Sequence, residues 1–397
     1  MEKKTLVSAI DIFGLNQRVS SLLKNHTESK FQIKKSGLQS SFESFLAKIG
    51  SSLRNCVPRQ VCMFLAWCDQ SGKTSIHSVA CPQIGAKYPD CNCPKRLAYG
   101  TVKSRISQLK SIFDSVGRSD PCDNPASSNE VQVYLKQIRV EQSVGHVQPQ
   151  QAKPIFMKKL LLIAMYIDRH LNEKPLLPIN RFILARDQAL FKFLFFGGDR
   201  GNDAGLMLIQ EISRLPQDAG LIIRHTFGKT FRVDKPNIFS LFRCPNQIIC
   251  PVQGLELYIQ ESRKLGVTPQ NGYLFRPTIQ NKVLESPLSY EAIYQRLKFY
   301  LGILHIDEGE TPHSFRSGCA ITFRNLDQTN SSPQNIMQHI GWSTEWSANH
   351  YSRNAALQQS MVMSEAMSKS QQSFQMTNLS RQNNSFVDET KLSKAFL

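Results

Sequence analysis

Long apolar runs are absent from the sequence, which has no uninterrupted apolar stretch of the roughly 18 residues that a membrane-spanning helix needs. The opening segment, MEKKTLVSAIDIFGL, is interrupted by Asp11 and lacks the small-residue cleavage pattern of a secretory signal peptide. Without that signal, the ten cysteines are not expected to form a disulfide framework. We therefore expect an intracellular protein, with no membrane partner, whose cysteines are reduced thiols or metal ligands.

Acidic residues are too few to balance the basic ones. The chain has 48 Lys and Arg against 31 Asp and Glu, which gives a net charge of +17. This excess favours a polyanionic partner, and in a eukaryote it favours the nucleus. Since no aromatic stacking motif is present, double-stranded DNA is favoured over RNA. The 41% hydrophobic content and 23 Phe exclude a wholly disordered chain.

Apolar residues at helical spacing predict two mainly helical domains joined by a short linker. Three β-like runs, IQEISRL, LIIRHTF and TFRVDK, predict a small antiparallel sheet, with a hairpin turn at Gly228. The predicted segments are a basic N-terminal arm (1–36), a helical domain (37–147), a linker (148–154), a second domain (155–355) and a C-terminal helix with a disordered tail (356–397).

The second domain contains cations and a tyrosine in an order that suits phosphoryl transfer. Two arginines hold non-bridging phosphate oxygens in bidentate contact, and a histidine at a helix start adds to an anion site. A lysine supplies a proton to a leaving 5′-oxygen, and a tyrosine is a suitable nucleophile. An indole N–H donates to phosphate. The residues in these roles are Arg200, Lys229, His313, Arg316, Trp342 and the nucleophile Tyr351.

These residues resemble the catalytic pattern of the tyrosine recombinase (phage integrase) family. Asp203 gives Arg200 the family's Arg-x-x-acidic context. Trp342, nine residues before Tyr351, matches the fifth catalytic position, which is also a tryptophan in Cre. The phrases GKTFR and GETPHSFR look closest to Crypton-type recombinases of eukaryotic mobile elements. The resemblance covers roughly residues 155–355.

The resemblance implies a helical, SAM-like core-binding domain followed by a tyrosine recombinase catalytic domain. It implies a site-specific recombinase or integrase that cuts and rejoins DNA through a 3′-phosphotyrosine. It also implies a homotetramer on paired sites that requires neither ATP nor a metal. Two alternatives stay open: a domesticated sequence-specific DNA-binding protein without turnover, and a type IB topoisomerase-like enzyme.

A second group of residues has the chemistry of a structural zinc site. His77-x3-Cys81-x9-Cys91-x-Cys93 offers an imidazole and three thiolates, although Cys-x-Cys is tighter than the usual Cys-x2-Cys. The alternative is a loop of reduced cysteines beside a helical core. Cys56, Cys62 and Cys68 look like core thiols.

A basic amphipathic helix in the first domain is a candidate for DNA contact. Val102, Ile106, Leu109, Ile112 and Phe113 form its apolar face. The alternative is a solvated charged face. The candidate DNA-binding cations are Lys103, Arg105 and Lys110.

Overall fold

The chain forms two compact units, Met1–Gln150 and Gln151–Leu397. The described residues of both are mainly helical with small antiparallel sheets, so the predicted fold class is confirmed. The computed structural model describes residues 12–27, 30–84, 86, 90–147, 153–173, 175–229, 234–267, 271–326, 332–345 and 363–364.

Aromatic packing joins the helices of the N-terminal unit. The ring of Phe42 lies 4.7 Å from that of Phe64 and 5.9 Å from that of Phe113, measured between centroids, and all three are fully buried. The five apolar residues predicted to form one face of the basic helix are buried in this core. The helices are α1 (Ile12–Thr27), α2 (Lys30–Lys48), α3 (Pro58–Asp69), α4 (Tyr99–Ser115) and α5 (Asn129–Val144).

A loop between α3 and α4 is closed by two short antiparallel strands, β1 (Thr74–Ser75) and β2 (Lys95–Arg96). At Gly72 a Cβ would lie 1.9 Å from the carbonyl carbon of Arg96, so only glycine permits this close approach. The loop therefore returns to the helical core beside the point where it leaves.

Helix α7 is the centre of the C-terminal unit. It is buried on almost every side, as expected of a helix that is apolar around most of its circumference. At Gly318 a Cβ would lie 1.7 Å from the backbone oxygen of Ile155, so α11 approaches the segment before α6 through a glycine. The helices are α6 (Met157–Glu173), α7 (Pro178–Gly197), α8 (Gly201–Gly205), α9 (Pro251–Lys264), α10 (Tyr290–Ile303), α11 (His313–Arg324) and α12 (Pro333–Ile340).

The main sheet is antiparallel in the order β3-β4-β5, with β3 (Ile212–Arg214), β4 (Gly220–His225) and β5 (Asn237–Phe242). The run TFRVDK was predicted as the partner of β4, and its residues 230–233 lie outside the described residues. Strand β4 pairs along its whole length with β5 instead. The following run, NIFSLF, alternates buried Asn237, Phe239 and Leu241 with more exposed neighbours, which is the period of a half-buried strand. A further pair is β6 (Thr278–Ile279) and β7 (Lys282–Val283).

The predicted domain boundaries fall partly on described residues and partly outside them. The described part of the predicted arm, residues 1–36, is helical, and the arm's end lies inside α2. Residues 148–152 of the linker and all but two residues of the segment 356–397 lie outside the described residues. Within the described part of the chain, no helix combines the length and apolar character needed to cross a membrane.

Candidate functional sites

Arg200 stands at the junction of α7 and α8, where it is the N-cap of α8. Its Nη1 lies 3.2 Å from Oδ2 of Asp203, whose side chain is almost completely buried. The other oxygen of Asp203 accepts a hydrogen bond of 3.0 Å from the backbone N–H of Lys229. Asp203 therefore links the first predicted arginine to the predicted lysine segment, while the Lys229 side chain is exposed.

Arg316 lies on the first turn of α11 and is completely buried. Its Nη1 donates to the backbone oxygen of Gly198 at 2.7 Å and to that of Ile340 at 3.0 Å. The guanidinium carbon lies 5.0 Å from the ring centroid of Trp342, which is within the range of a cation–π contact. This arginine joins the end of α7 to the end of α12, because it binds backbone carbonyls from both.

Glycines shape the two helix ends that Arg316 joins. Gly198 ends α7 with φ +60° and Gly341 ends α12 with φ +75°, both in the left-handed region that favours glycine. The backbone N–H of Trp342 then donates to the oxygen of Met337 at 2.8 Å, which fixes the indole beside Arg316.

The structure thus groups the predicted catalytic residues into two linked sets. One joins Arg200 to the backbone of Lys229, and the other joins Arg316 to Trp342. His313 is the first residue of α11 and is half-buried. Tyr351, the predicted nucleophile, lies outside the described residues.

Sequence reasoning missed a buried pair beside this site. Nδ1 of His225 lies 2.8 Å from Oδ2 of Asp199, and both side chains are buried. Burial alone would lower the pKa of His225, but the hydrogen bond and charge of Asp199 outweigh it and raise the pKa above 6.5. Asp199 also accepts from the backbone N–H of Arg200 at 2.8 Å. The only sequence signal was an acid inside GGDRGND.

The four predicted zinc ligands come together in the N-terminal unit. The ligand atoms of His77, Cys81, Cys91 and Cys93 all lie within 4.8 Å of one another. Nδ1 of His77 lies 3.5 Å from Sγ of Cys91. One imidazole and three thiols at this separation have the donor chemistry and number of a structural zinc site.

Hydrogen bonds hold the cluster's loop on the helical core. The backbone N–H of Ile76 donates to the oxygen of Pro94 at 2.9 Å. A carboxylate oxygen of Asp69 accepts from the N–H of Leu97 at 3.0 Å, and the amide of Gln142 donates to the Leu97 oxygen at 2.8 Å. The loop is therefore connected to the ends of α3 and α5.

Three other cysteines of the first domain belong to its core. Cys56, Cys62 and Cys68 are buried in the helical core, as predicted. Burial raises the pKa of Cys56 and of Cys62 to about 11, so both are neutral thiols at physiological pH.

The three candidate DNA-binding cations of α4 do not share a face. Lys103 and Lys110 are seven residues apart and lie on one flank of the helix. Arg105 lies about 150° away around the helix axis, at 3.6 residues per turn. Arg105 is two residues after Lys103 and five residues before Lys110, and either spacing places a side chain on the opposite flank of a helix. The structure therefore separates Arg105 from the two lysines.

Comparison by sequence finds a domain family and related plant proteins. The model of the ALOG domain matches residues 19–140. LIGHT-DEPENDENT SHORT HYPOCOTYLS 5 of Arabidopsis thaliana is 35% identical over 104 residues, which are 26% of this chain and 57% of the relative. LIGHT-DEPENDENT SHORT HYPOCOTYLS 6 of the same plant is 30% identical over 131 residues, or 32% and 66%. Protein G1-like5 of Oryza sativa subsp. japonica is 35% identical over 94 residues, or 23% and 46%. The chain thus spans about half to two thirds of these relatives.

Comparison by structure finds the fold of the tyrosine recombinases. The XerH site-specific recombinase bound to its palindromic difH substrate superposes with a TM-score of 0.51 at 16% identity, over 82% of this chain and 77% of that one. A lambda integrase dimer bound to a core site gives a TM-score of 0.48 at 13% identity, over 86% and 77%. At such identities the likeness shows the fold alone.

The predicted recombinase activity is wrong on these findings. The sequence relatives are plant ALOG proteins. The ALOG domain model matches residues 19–140, which do not include the predicted catalytic residues. The predicted enzyme class is wrong for the same reason, since only the fold resembles strand-transferring enzymes. A pattern of residue types identified the fold correctly, but it did not identify an activity. The alternative of a DNA-binding protein without turnover is better supported.

Proposed function

We propose that this protein binds specific sequences of double-stranded DNA and does not cut them. The observation that carries the proposal is the position of the ALOG match, which covers residues 19–140 of the N-terminal unit. The net charge of +17 supports a polyanionic partner. XerH, which shares the fold, was solved on its difH DNA substrate. Because function lies in the site and not in the fold, the shared fold is compatible with DNA binding without chemistry.

The contacts of Arg316 support a protein without turnover. An arginine that clamps a phosphate presents its guanidinium to the DNA. In this chain the guanidinium is buried and donates to two backbone carbonyls. We assign Arg316 and Trp342 to the stability of the C-terminal unit rather than to strand transfer.

The finer ancestry is part of the same proposal. The phrase GETPHSFR and the indole at Trp342 favour descent from Crypton-type recombinases with a Cre-like fifth position. The proposed compartment is the nucleus, where a eukaryotic DNA-binding protein meets its partner. The homotetramer on paired sites remains a prediction, which light scattering of the protein with its DNA would test.

We also propose that His77, Cys81, Cys91 and Cys93 hold a structural zinc ion. Zinc would supply tetrahedral cross-links to a loop whose described residues are held by short strands and hydrogen bonds. No chemistry on DNA is assigned to it, because all four protein ligands together complete a closed site.

Purified protein is expected to contain about one zinc per chain, as measured by mass spectrometry of the metal. Replacing Cys91 and Cys93 together by serine is expected to remove the zinc and lower the melting temperature. Cys122→Ser is the matched control, because Cys122 is an exposed free cysteine outside the cluster. Zinc-free wild-type protein, purified without chelators, would contradict the site.

The proposed function is tested by selection from a random duplex library. The expected result is recovery of a common sequence motif in the DNA that the full chain retains, at physiological salt and in the absence of ATP. Recovery of DNA without an enriched motif would contradict sequence specificity. Failure to retain DNA at all would contradict the proposal as a whole.

A further inference from the structure

A cleft of about 850 Å³ lies in the N-terminal unit, between α2, the end of α3 and the start of α4. Its walls combine two cations with hydroxyl and amide groups and one large aromatic ring. None of the described residues that line it is acidic. The residues used below are Lys34, Ser41, Trp67, Thr101, Ser104 and Arg105.

The two cations that line the cleft come from different helices. Lys34 lies on α2 and is exposed, and Arg105 lies on α4 and is half-buried. Among the described residues neither forms an ion pair with a carboxylate; Arg105 instead lies within hydrogen-bonding range of the Cys68 thiol. Both positive charges are therefore available to an anion that enters the cleft.

A hydrogen-bonded pair links the two helices that contribute these cations. Nζ of Lys35 donates to the backbone oxygen of Ser111 at 3.0 Å and to its hydroxyl at 2.9 Å, which joins α2 to α4. A cleft held open in this way needs little rearrangement to bind a ligand.

Trp67 gives the cleft an apolar wall. Its ring stacks on Phe64 at 5.9 Å between centroids and lies 5.8 Å from Phe45, yet the residue remains 43% exposed. An aromatic ring supported on one side and open on the other suits the flat contact of a sugar or a base.

The donors fit the backbone of DNA better than an acidic peptide. Most protein–DNA hydrogen bonds go to phosphate and sugar, from arginine, lysine, serine and threonine side chains. Thr101, Ser104 and Arg105 provide such donors along one side of α4, and Ser41 provides another from α2. A carboxylate ligand would use the cations but gain little from an exposed indole.

We infer that this cleft holds the sugar–phosphate backbone of DNA, with Lys34 and Arg105 on phosphates and Trp67 against a sugar or base. The inference rests on the proposed function and adds the surface that makes the contact. It excludes Lys103 and Lys110, which lie on the other flank of α4.

The test compares salt dependence for variants of the full chain on the selected DNA. Arg105→Ala and Lys34→Ala are each expected to weaken binding about tenfold and to reduce the slope of log K against log salt by about 0.9, because each removes one phosphate contact. Trp67→Ala is expected to weaken binding with the slope unchanged. Lys103→Ala and Lys110→Ala are the matched controls, with the same loss of charge from the same helix and an unchanged slope.

The outcomes separate the two proposals. If the wild-type chain binds no DNA, the proposed function fails. In another outcome, the wild type binds DNA while the salt slope falls in Lys103→Ala and Lys110→Ala and stays at the wild-type value in Arg105→Ala and Lys34→Ala. That result overturns the assignment of this cleft. The same variants are also tested against a polyglutamate peptide. If Arg105→Ala and Lys34→Ala lose wild-type binding to that peptide while their DNA binding stays intact, the assignment of the cleft to DNA is also overturned. Lys34→Ala keeps the test valid if Arg105→Ala does not fold, since Lys34 is exposed.

Discussion

Arg316→Met is expected to lower the free energy of unfolding of the C-terminal unit by about 2–5 kcal/mol. The substitution removes the donor to two buried carbonyls, those of Gly198 and Ile340, and each unsatisfied group costs about 1–3 kcal/mol. It also removes the contact with Trp342. Denaturant unfolding of the full chain measures the change.

Arg169→Ala is the matched control for Arg316. Arg169 forms a helical pair with Glu173 in the same unit, and both side chains are more than half exposed. Its loss is expected to change stability by less than about 0.5 kcal/mol. If Arg316→Met has the same free energy of unfolding as the wild type, the buried guanidinium is dispensable for stability. A role of Arg316 in contacting DNA would then have to be reconsidered.

Asp187→Ala is expected to cost about 3–5 kcal/mol, because it leaves buried charge without its partner. Asp187 is completely buried on α7 and accepts from Arg186 Nη2 at 2.7 Å, Arg296 Nε at 2.5 Å and the Tyr300 hydroxyl at 2.9 Å. Burial, followed by the charge of Asp187, raises the pKa of Tyr300 well above 10, so this hydroxyl remains a donor.

The conservative variant Asp187→Asn separates charge from shape. Asparagine keeps the size and an acceptor for Tyr300 but loses the charge that balances Arg186 and Arg296. We expect a smaller loss than for alanine, measured in the same denaturant titration. Equal stability of wild type and alanine variant would show that the two arginines find other partners.

The fold was predictable from the sequence because its evidence is local. The spacing of His313 and Arg316 after Pro312 placed both on the first turn of α11, where the structure has them. The ligand types at 77, 81, 91 and 93 predicted a cluster, and the strand pairing of the loop brings their atoms together.

The direction in which a side chain points was not predictable in the same way. The letter for Arg316 does not tell whether its guanidinium faces a phosphate or a backbone carbonyl, since both are acceptors. Likewise, Arg105 and Lys103 are two residues apart in sequence but lie on different flanks of α4. The functional error followed from this limit, because residue types that suit catalysis also suit a buried hydrogen-bond network.

The relationship to ALOG proteins was not predicted from the sequence, for a different physical reason. The ALOG match covers residues 19–140, where dispersed residues such as Phe42, Phe64 and Phe113 form the core. Such a pattern predicts helices and a core but carries no name for a function.

The most direct test of a DNA-binding protein without turnover is a search for covalent product. The full chain is mixed with its selected DNA, carrying a nick that would trap a phosphotyrosine, and half the sample is denatured in SDS. We predict a clear shift in the native half and no protein-bound DNA in the denatured half. An SDS-resistant adduct that disappears in Tyr351→Phe would contradict the account.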